Sequence, residues 1–414
     1  MKNRYPKQGE ETQPGAVLLC AVYVLFITAA FSNAQVSGQQ DAFNPATLQK
    51  VWEYTKEDSE ATFWKLAWSP DGSMIAATFF DNKCLVLNAS HGTVITELDF
   101  EAEGRGTRCD GYAPEGTNPL RACTFSPNGR FLAVGGDDME VIVLDTSTWE
   151  DIYVLTGHKG SIQCLDFSPD SRYLASGSGQ DKVIPQNAGE NVTRIWDMSN
   201  GSEVLVLEGH RDGVLGTAWS HSGNRIATVS DDRTVRIWSF PAGALLQNMT
   251  GHTSGVLDVD WSGDDTKLIT GSRDYKIKVW DTETGSLMNT WGDKNCVRSV
   301  DFHPTAEIAA TSGVDLTLKI RDMNTGTSLK VIKDGVAQTA MVMSSRWSPD
   351  GTALASGLGK SHTVIMYRFG MGTGEEEEGE NVGLTTTVVL IIISIVFILV
   401  LYYPVVKKIR GRRG

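Results

Sequence analysis

Residues 209–238 read GHRDGVLGTAWSHSGNRIATVSDDRTVRIW, and residues 251–280 read GHTSGVLDVDWSGDDTKLITGSRDYKIKVW. Each stretch opens on Gly-His and ends on Trp 29 positions later, and the two start 42 residues apart. In the first, 214–219, 225–229 and 234–238 are short apolar, β-branched or aromatic runs, separated by polar turns at 220–224 and 230–233. That pattern predicts short antiparallel strands. One such unit cannot cover both of its faces, so it must pack on copies of itself around a ring.

The period and the spaced Gly-His and Trp positions resemble the WD40 repeat family. The resemblance implies an all-β fold, a seven-bladed WD40 β-propeller. It also implies a hydrogen-bonded tetrad through each blade: His210, Thr228, Asp232 and Trp238 in one copy, and His252, Thr270, Asp274 and Trp280 in the next. Buried polar groups need partners, so these histidines are read as structural rather than catalytic or metal-binding.

Two rulers count the blades. The turn after each first inner strand falls at Ser69, Ser126, Ser168, Ser220, Ser262, His303 and Ser348. An Asp followed six residues later by an apolar or aromatic residue gives Asp81/Leu87, Asp138/Leu144, Asp232/Trp238 and Asp274/Trp280, and Asp315/Arg321 extends it with a basic residue. Blades 1, 2, 6 and 7 thus depart from the family pattern, and full tetrads are not expected there. The stretch 48–55 (LQKVWEYT) precedes the first full blade and is expected to close the ring as the outer strand of the last, which would remove a free edge. Two insertions stand out: 101–120, rich in Gly and Pro, and ten extra residues of blade 3 within 182–193. Each is read either as part of a binding face or as a tolerated surface excursion.

The 414 residues carry a net charge of −13. Five positive charges fall in the last eight residues, so the remainder outside the two ends is about −19. An acidic middle argues against nucleic acid as a partner.

The ends predict a membrane topology. Residues 1–34 contain a polar start, an apolar run at 16–31 and small residues at 32–34, the pattern of a signal peptide or an uncleaved signal anchor. A linker is expected at 35–47, the propeller at 48–369 and an acidic Gly/Glu stalk at 370–383. The apolar run from Leu384 to Tyr403 is long enough to span a bilayer, giving a transmembrane helix at 384–406. A basic tail follows at 407–414, with Lys407, Lys408, Arg410, Arg412 and Arg413 expected on the cytosolic side. The expectation is a single-pass protein of the secretory pathway, at the endoplasmic reticulum or cell surface, with a non-cytosolic propeller.

Sequons at Asn88, Asn191, Asn200 and Asn248 are glycosylation candidates in expected turns, strand ends or the blade 3 insertion. Apart from Cys20 in the signal segment, five cysteines remain. Cys109 and Cys123 flank the long loop and are the best disulfide pair on sequence distance; the alternative is five buried thiols. No CxxC, GxSxG or HExxH occurs, and Leu354 stands where a phosphate-binding loop ending in Gly359-Lys360-Ser361 would need glycine. No catalytic residue, cofactor or metal is therefore expected.

By fold analogy the propeller is an interaction scaffold for proteins or peptides rather than an enzyme. A second reading, from the order of propeller and membrane helix, is a cytosol-facing exchange factor in vesicle trafficking similar to the Sec12 type. In WD40 propellers the face carrying the tetrad-Asp turns is the usual docking surface. Here it presents Asp137, Asp231 and Arg273, expected to point to solvent and to favour a partner with a basic patch; the alternative is that they are merely solvated turn residues.

Overall fold

A computed structural model describes residues 47–57, 62–100, 119–179, 190–333 and 340–369. Its 28 strands form seven four-stranded antiparallel sheets. Blades 1 to 6 each use four strands that follow one another in the chain. Blade 7 is composite: Leu48–Thr55 is the outer strand beside Thr363–Phe369, with Leu48 opposite Phe369 and Thr55 opposite Thr363. The two ends of the ring are thereby laced into one sheet, and no blade is left open at the closure.

The strand alternation explains why the sheets stack. Within Arg225–Ser230, the second strand of blade 4, every residue after Arg225 is buried, while Leu245–Thr250 at the outer edge is mostly exposed. Inner strands have a neighbouring blade on each face, so they read as continuous apolar runs. The buried residues fall into seven clusters, and each cluster joins two adjacent blades. Ile226 and Trp238 of blade 4, for instance, pack with Ala175 and Ile195 of blade 3.

Polar pins add register at the axis. The carboxylates of Asp166, Asp260 and Asp301 each accept the backbone N–H of the next blade's inner strand, from Trp219 (2.7 Å), Phe302 (2.7 Å) and Trp347 (2.6 Å). Burial pushes the Asp166 carboxyl up to about 7 and that of Asp260 to about 6.

Among the described residues, no helix is long and apolar enough to cross a membrane. The expected signal segment 1–34, the stalk 370–383, the span from Leu384 to Tyr403 and the basic tail lie outside the described residues, as does the linker except for Thr47. Cys109 is also outside them. The expected Cys109–Cys123 bridge therefore falls partly outside the described residues; Cys123 itself is a free thiol on the inner strand of blade 2, sunk among Ala76, Val86 and Leu132 at a blade interface. Burial there pushes it up to about 12, so it is an inert, apolar packing group.

Candidate functional site

Two of the blades carry the polar chain drawn from the resemblance. In blade 4, Trp238 Nε1 donates to Thr228 Oγ1 (2.8 Å), His210 Nε2 lies 2.8 Å from that oxygen, and His210 Nδ1 lies 3.0 Å from Asp232. In blade 5 the same atoms of Trp280, Thr270, His252 and Asp274 repeat at 2.9 Å each. The hydroxyl accepts from Trp and donates to His, which leaves the second ring nitrogen to donate to the carboxylate. Every member is satisfied with a neutral ring. Burial holds His210 and His252 below the usual histidine range. Each Asp also accepts the backbone N–H just after its His, Arg211 or Thr253, at 2.9 Å. The turn before the third strand is thus tied to the loop entering the blade.

Blade 3 holds a third such chain, missed in the sequence. His158 Nε2 lies 2.7 Å from Ser176 Oγ, Trp196 Nε1 donates to that oxygen at 2.8 Å, and His158 Nδ1 lies 2.8 Å from a carboxylate of Glu190. Glu stands in for Asp. Burial would raise its carboxyl, but hydrogen bonds from His158 and Arg194 outweigh that and hold it at about 2. The signal was present: Gly157-His158 opens the blade and Glu190 precedes Trp196 by six residues. The ten-residue insertion hid it.

Blade 6 replaces the chain with ions. Asp293, Thr311, Asp315 and Arg321 lie 41 residues beyond His252, Thr270, Asp274 and Trp280. Arg321 Nε donates to Thr311 Oγ1 (3.1 Å), as Trp does elsewhere, and its Nη2 donates to Asp293 (2.6 Å). Lys319 pairs with both Asp293 and Asp315.

Removing a tetrad member should leave its partners buried and unsatisfied. His252→Ala or Asp274→Ala is expected to cost roughly 1–3 kcal/mol. Because burial depresses the His252 pKa, the unfolded ring takes up the proton more readily, so this contribution is present above about pH 6.5 and declines as pH falls below it. Thermal melting of both variants checks this; an unchanged midpoint would contradict the tetrad.

The tied turns of blades 4 and 5 lie at one mouth of the ring. In every blade the inner strand carries a bulge within two residues of its start. The unpaired residues are Trp64, Arg121, Gln163, Leu215, Leu257, Arg298 and Met343, and all seven line a single cavity of about 200 Å³. A bulge leaves its residue outside the ladder and re-aims its side chain; here seven bulges aim at the axis. Lys65, together with Asp231 and Arg273 from the tied turns of blades 4 and 5, completes the wall.

The docking candidates differ from expectation in two respects. Asp137 does not point to solvent: it is buried, with Arg121 Nη2 donating to its carboxylate at 2.9 Å. The Asp231 side chain is likewise only 7% exposed and pairs with Arg273, which is itself 42% exposed. Each acid is neutralised by an arginine, Arg121 of the same blade for Asp137 and Arg273 at the next blade's turn for Asp231, and sequence separations of 16 and 42 residues do not reveal such pairs.

Sequence comparison matches "WD domain, G-beta repeat" at 110–145, 149–184, 201–239, 243–281 and 285–322. "Anaphase-promoting complex subunit 4 WD40 domain" matches 42–109. The chain is similar to a component of chromatin assembly factor 1 of Gallus gallus, 28% identical over 28% of this chain and 23% of that protein. It is also similar to protein HIR1 of Cryptococcus neoformans, 26% identical over 43% of this chain and 21% of that one. Meiotic recombination protein rec14 of Schizosaccharomyces pombe is 30% identical over 34% of this chain and 38% of its own. The chain thus spans well under half the length of each of these relatives.

The expected localisation, a single-pass protein of the secretory pathway with a non-cytosolic propeller, is corrected by these findings. The relatives include a chromatin assembly factor and a meiotic recombination protein, and no helix among the described residues can cross a membrane. The features that suggested a lumen also lose force. Cys123 is unbridged, and Thr193 of the Asn191 sequon is buried. Asn88 and Asn200 cap their own turns, accepting N–H groups of Ser90 and Ser202 at 2.9 Å. Asn248 lies on the exposed outer strand Leu245–Thr250. Asn in a strand turn is chosen for such local hydrogen bonds, which explains three-residue patterns of this kind without a glycan.

Proposed function

Because this chain belongs to the WD40 repeat family and forms its seven-bladed propeller, we propose that it is a protein-interaction scaffold whose docking surface is the mouth lined by the seven bulge residues. The single observation that carries this is the convergence of those residues. Seven side chains released from pairing meet at one point, which strand pairing alone does not require. Three hydrogen-bonded His–Asp/Glu chains hold the surrounding turns in place, so the surface is preorganised and loses little entropy on binding. Leu215, Leu257, Trp64 and Met343 supply the apolar part of the wall, and the arginines supply direction. The names of the chromatin assembly and recombination relatives are consistent with work inside protein complexes. The exchange-factor reading rested on the layout of segments outside the described residues and is not carried further.

Affinity capture with the full chain tests the surface. Leu215→Glu/Leu257→Glu places two carboxylates in the mouth and should strip the captured proteins, whereas Leu246→Glu on the exposed outer edge should not. The same captured set with all three proteins would remove the mouth from consideration.

A further inference from the structure

The cations at this mouth are unequally compensated. Arg121 is paired with Asp137, Arg273 with Asp231, and Lys65 lies 3.4 Å from Asp258. Arg298, the bulge residue of blade 6, has no carboxylate partner among the described residues. Its guanidinium lies over the Trp64 ring at 5.1 Å from the centroid, and Arg121 lies 5.0 Å from the centroid of that ring. Two guanidiniums share one aromatic platform, and Phe80 takes a second contact from Arg121 at 5.4 Å. Burial and the nearby charges of Arg273 and Arg121 hold the Arg298 pKa below its ordinary value. A half-buried cation stacked on an indole beside two like charges is a costly arrangement unless something anionic completes it.

We propose that the mouth is a receptor for a carboxylate side chain of an acidic peptide segment, which pairs with Arg298 while its aliphatic stem packs on Trp64, Leu257 and Met343. The inference rests on the mouth being the docking surface and reverses the basic partner expected from the net charge of −13. That net charge sums the whole chain, whereas among the described residues Arg298 is the mouth cation without a carboxylate partner. The planar guanidinium fork suits a carboxylate held by two parallel hydrogen bonds. A single negative charge balances a single unpaired cation; a phosphomonoester would bring close to two. The cavity, about 200 Å³, has room for one side chain rather than a folded element.

The test uses the full chain and fluorescein-labelled short peptides in which Gly alternates with Glu, Gln, Lys or phosphoserine, followed by fluorescence anisotropy. The Glu peptide should bind, more weakly as salt rises, and more tightly than the Gln, Lys and phosphoserine peptides. Arg298→Gln should weaken the Glu peptide by about tenfold or more. Arg298→Lys should recover part of that loss, which a purely structural arginine would not show, and the melting point of each variant is measured alongside. Unchanged Glu-peptide affinity in folded Arg298→Gln overturns the proposal, as does preference for the Lys or phosphoserine peptide. If a Lys or phosphoserine peptide binds and Leu215→Glu/Leu257→Glu abolishes it, the docking surface stands and only the carboxylate assignment falls. If no peptide binds and capture is also indifferent to the mouth, both readings fall.

Discussion

Asp293→Ala should be among the most damaging single substitutions in this chain, costing about 3–5 kcal/mol, because it strands two buried cations. The Arg321, Lys319 and Asp293 side chains are only 7%, 9% and 7% exposed. Among the described residues Asp293 is the one carboxylate paired with Arg321, and Lys319 would be left with Asp315. Arg321→Trp alone should also be harmful, since it removes the guanidinium from Asp293. The two positions occupy the His and Trp places of the intact tetrads, and Thr311 and Asp315 already stand in the other two. Asp293→His/Arg321→Trp should therefore rebuild the neutral chain of blade 5. There a lysine, Lys278, also lies beside the tetrad and finds Thr290 at 3.0 Å. The double variant is expected to be more stable than either single one, with a coupling of 1 kcal/mol or more, as for residues in one network (about 0.5–3 kcal/mol). Urea unfolding of the four proteins gives the cycle. Additive losses would show that blade 6 does not use these positions as a unit.

The second large effect is expected at the axis. Asp258 on the inner strand of blade 5 accepts two hydrogen bonds from Arg346 of blade 7 (3.1 and 2.9 Å), one from Ser299 (3.2 Å) and one from the Val300 N–H of blade 6 (3.1 Å), and it lies 3.4 Å from Lys65 of blade 1. One carboxylate ties four of the seven blades together. Burial alone would raise its pKa, but Arg346 and Lys65 outweigh burial and lower it. Asp258→Ala leaves the Arg346 guanidinium with Asp301 at 3.8 Å, and a loss of about 3–5 kcal/mol is expected. Asp258→Ala/Arg346→Met should recover much of this, because both charges go together and burial, which lowers the Lys65 pKa, eases the loss of its proton. The pH dependence has a definite sign. A carboxyl whose folded pKa is depressed stabilises the fold above its unfolded value of about 3.9 and loses that contribution as pH falls through the folded one. The gap between wild type and Asp258→Ala should be full at pH 7 and narrow below about pH 4. A constant gap, or a double variant as unstable as the single, would show that charge at this site is unimportant.

The sequence by itself determined the ring. The spacing of Ser69, Ser126, Ser168, Ser220, Ser262, His303 and Ser348 counted seven blades, and each of these residues directly follows an inner strand in the structure. The run 48–55 ahead of the first full blade identified the closing strand, now paired with Thr363–Phe369. These features are legible because strand period, turn chemistry and repeat length are local, within one blade. The chains of blades 4 and 5 were legible for the same reason. What only the tertiary structure decided involves different blades or an interrupted repeat. Glu190 replaces Asp behind an insertion that breaks the ruler, and in blade 6 Asp293, in the connection from blade 5, pairs with Arg321 of the third strand. The pairing of Asp231 with Arg273 joins neighbouring turns 42 residues apart. The mouth itself depends on seven bulges, each a one-residue shift in pairing that no local pattern marks. A bulge is decided by how two strands meet around the ring, and so is the side chain it turns toward the axis. Net charge pointed to a basic partner because it sums the whole chain; Lys65, Arg121, Arg273 and Arg298 line one cavity only because the blades converge there.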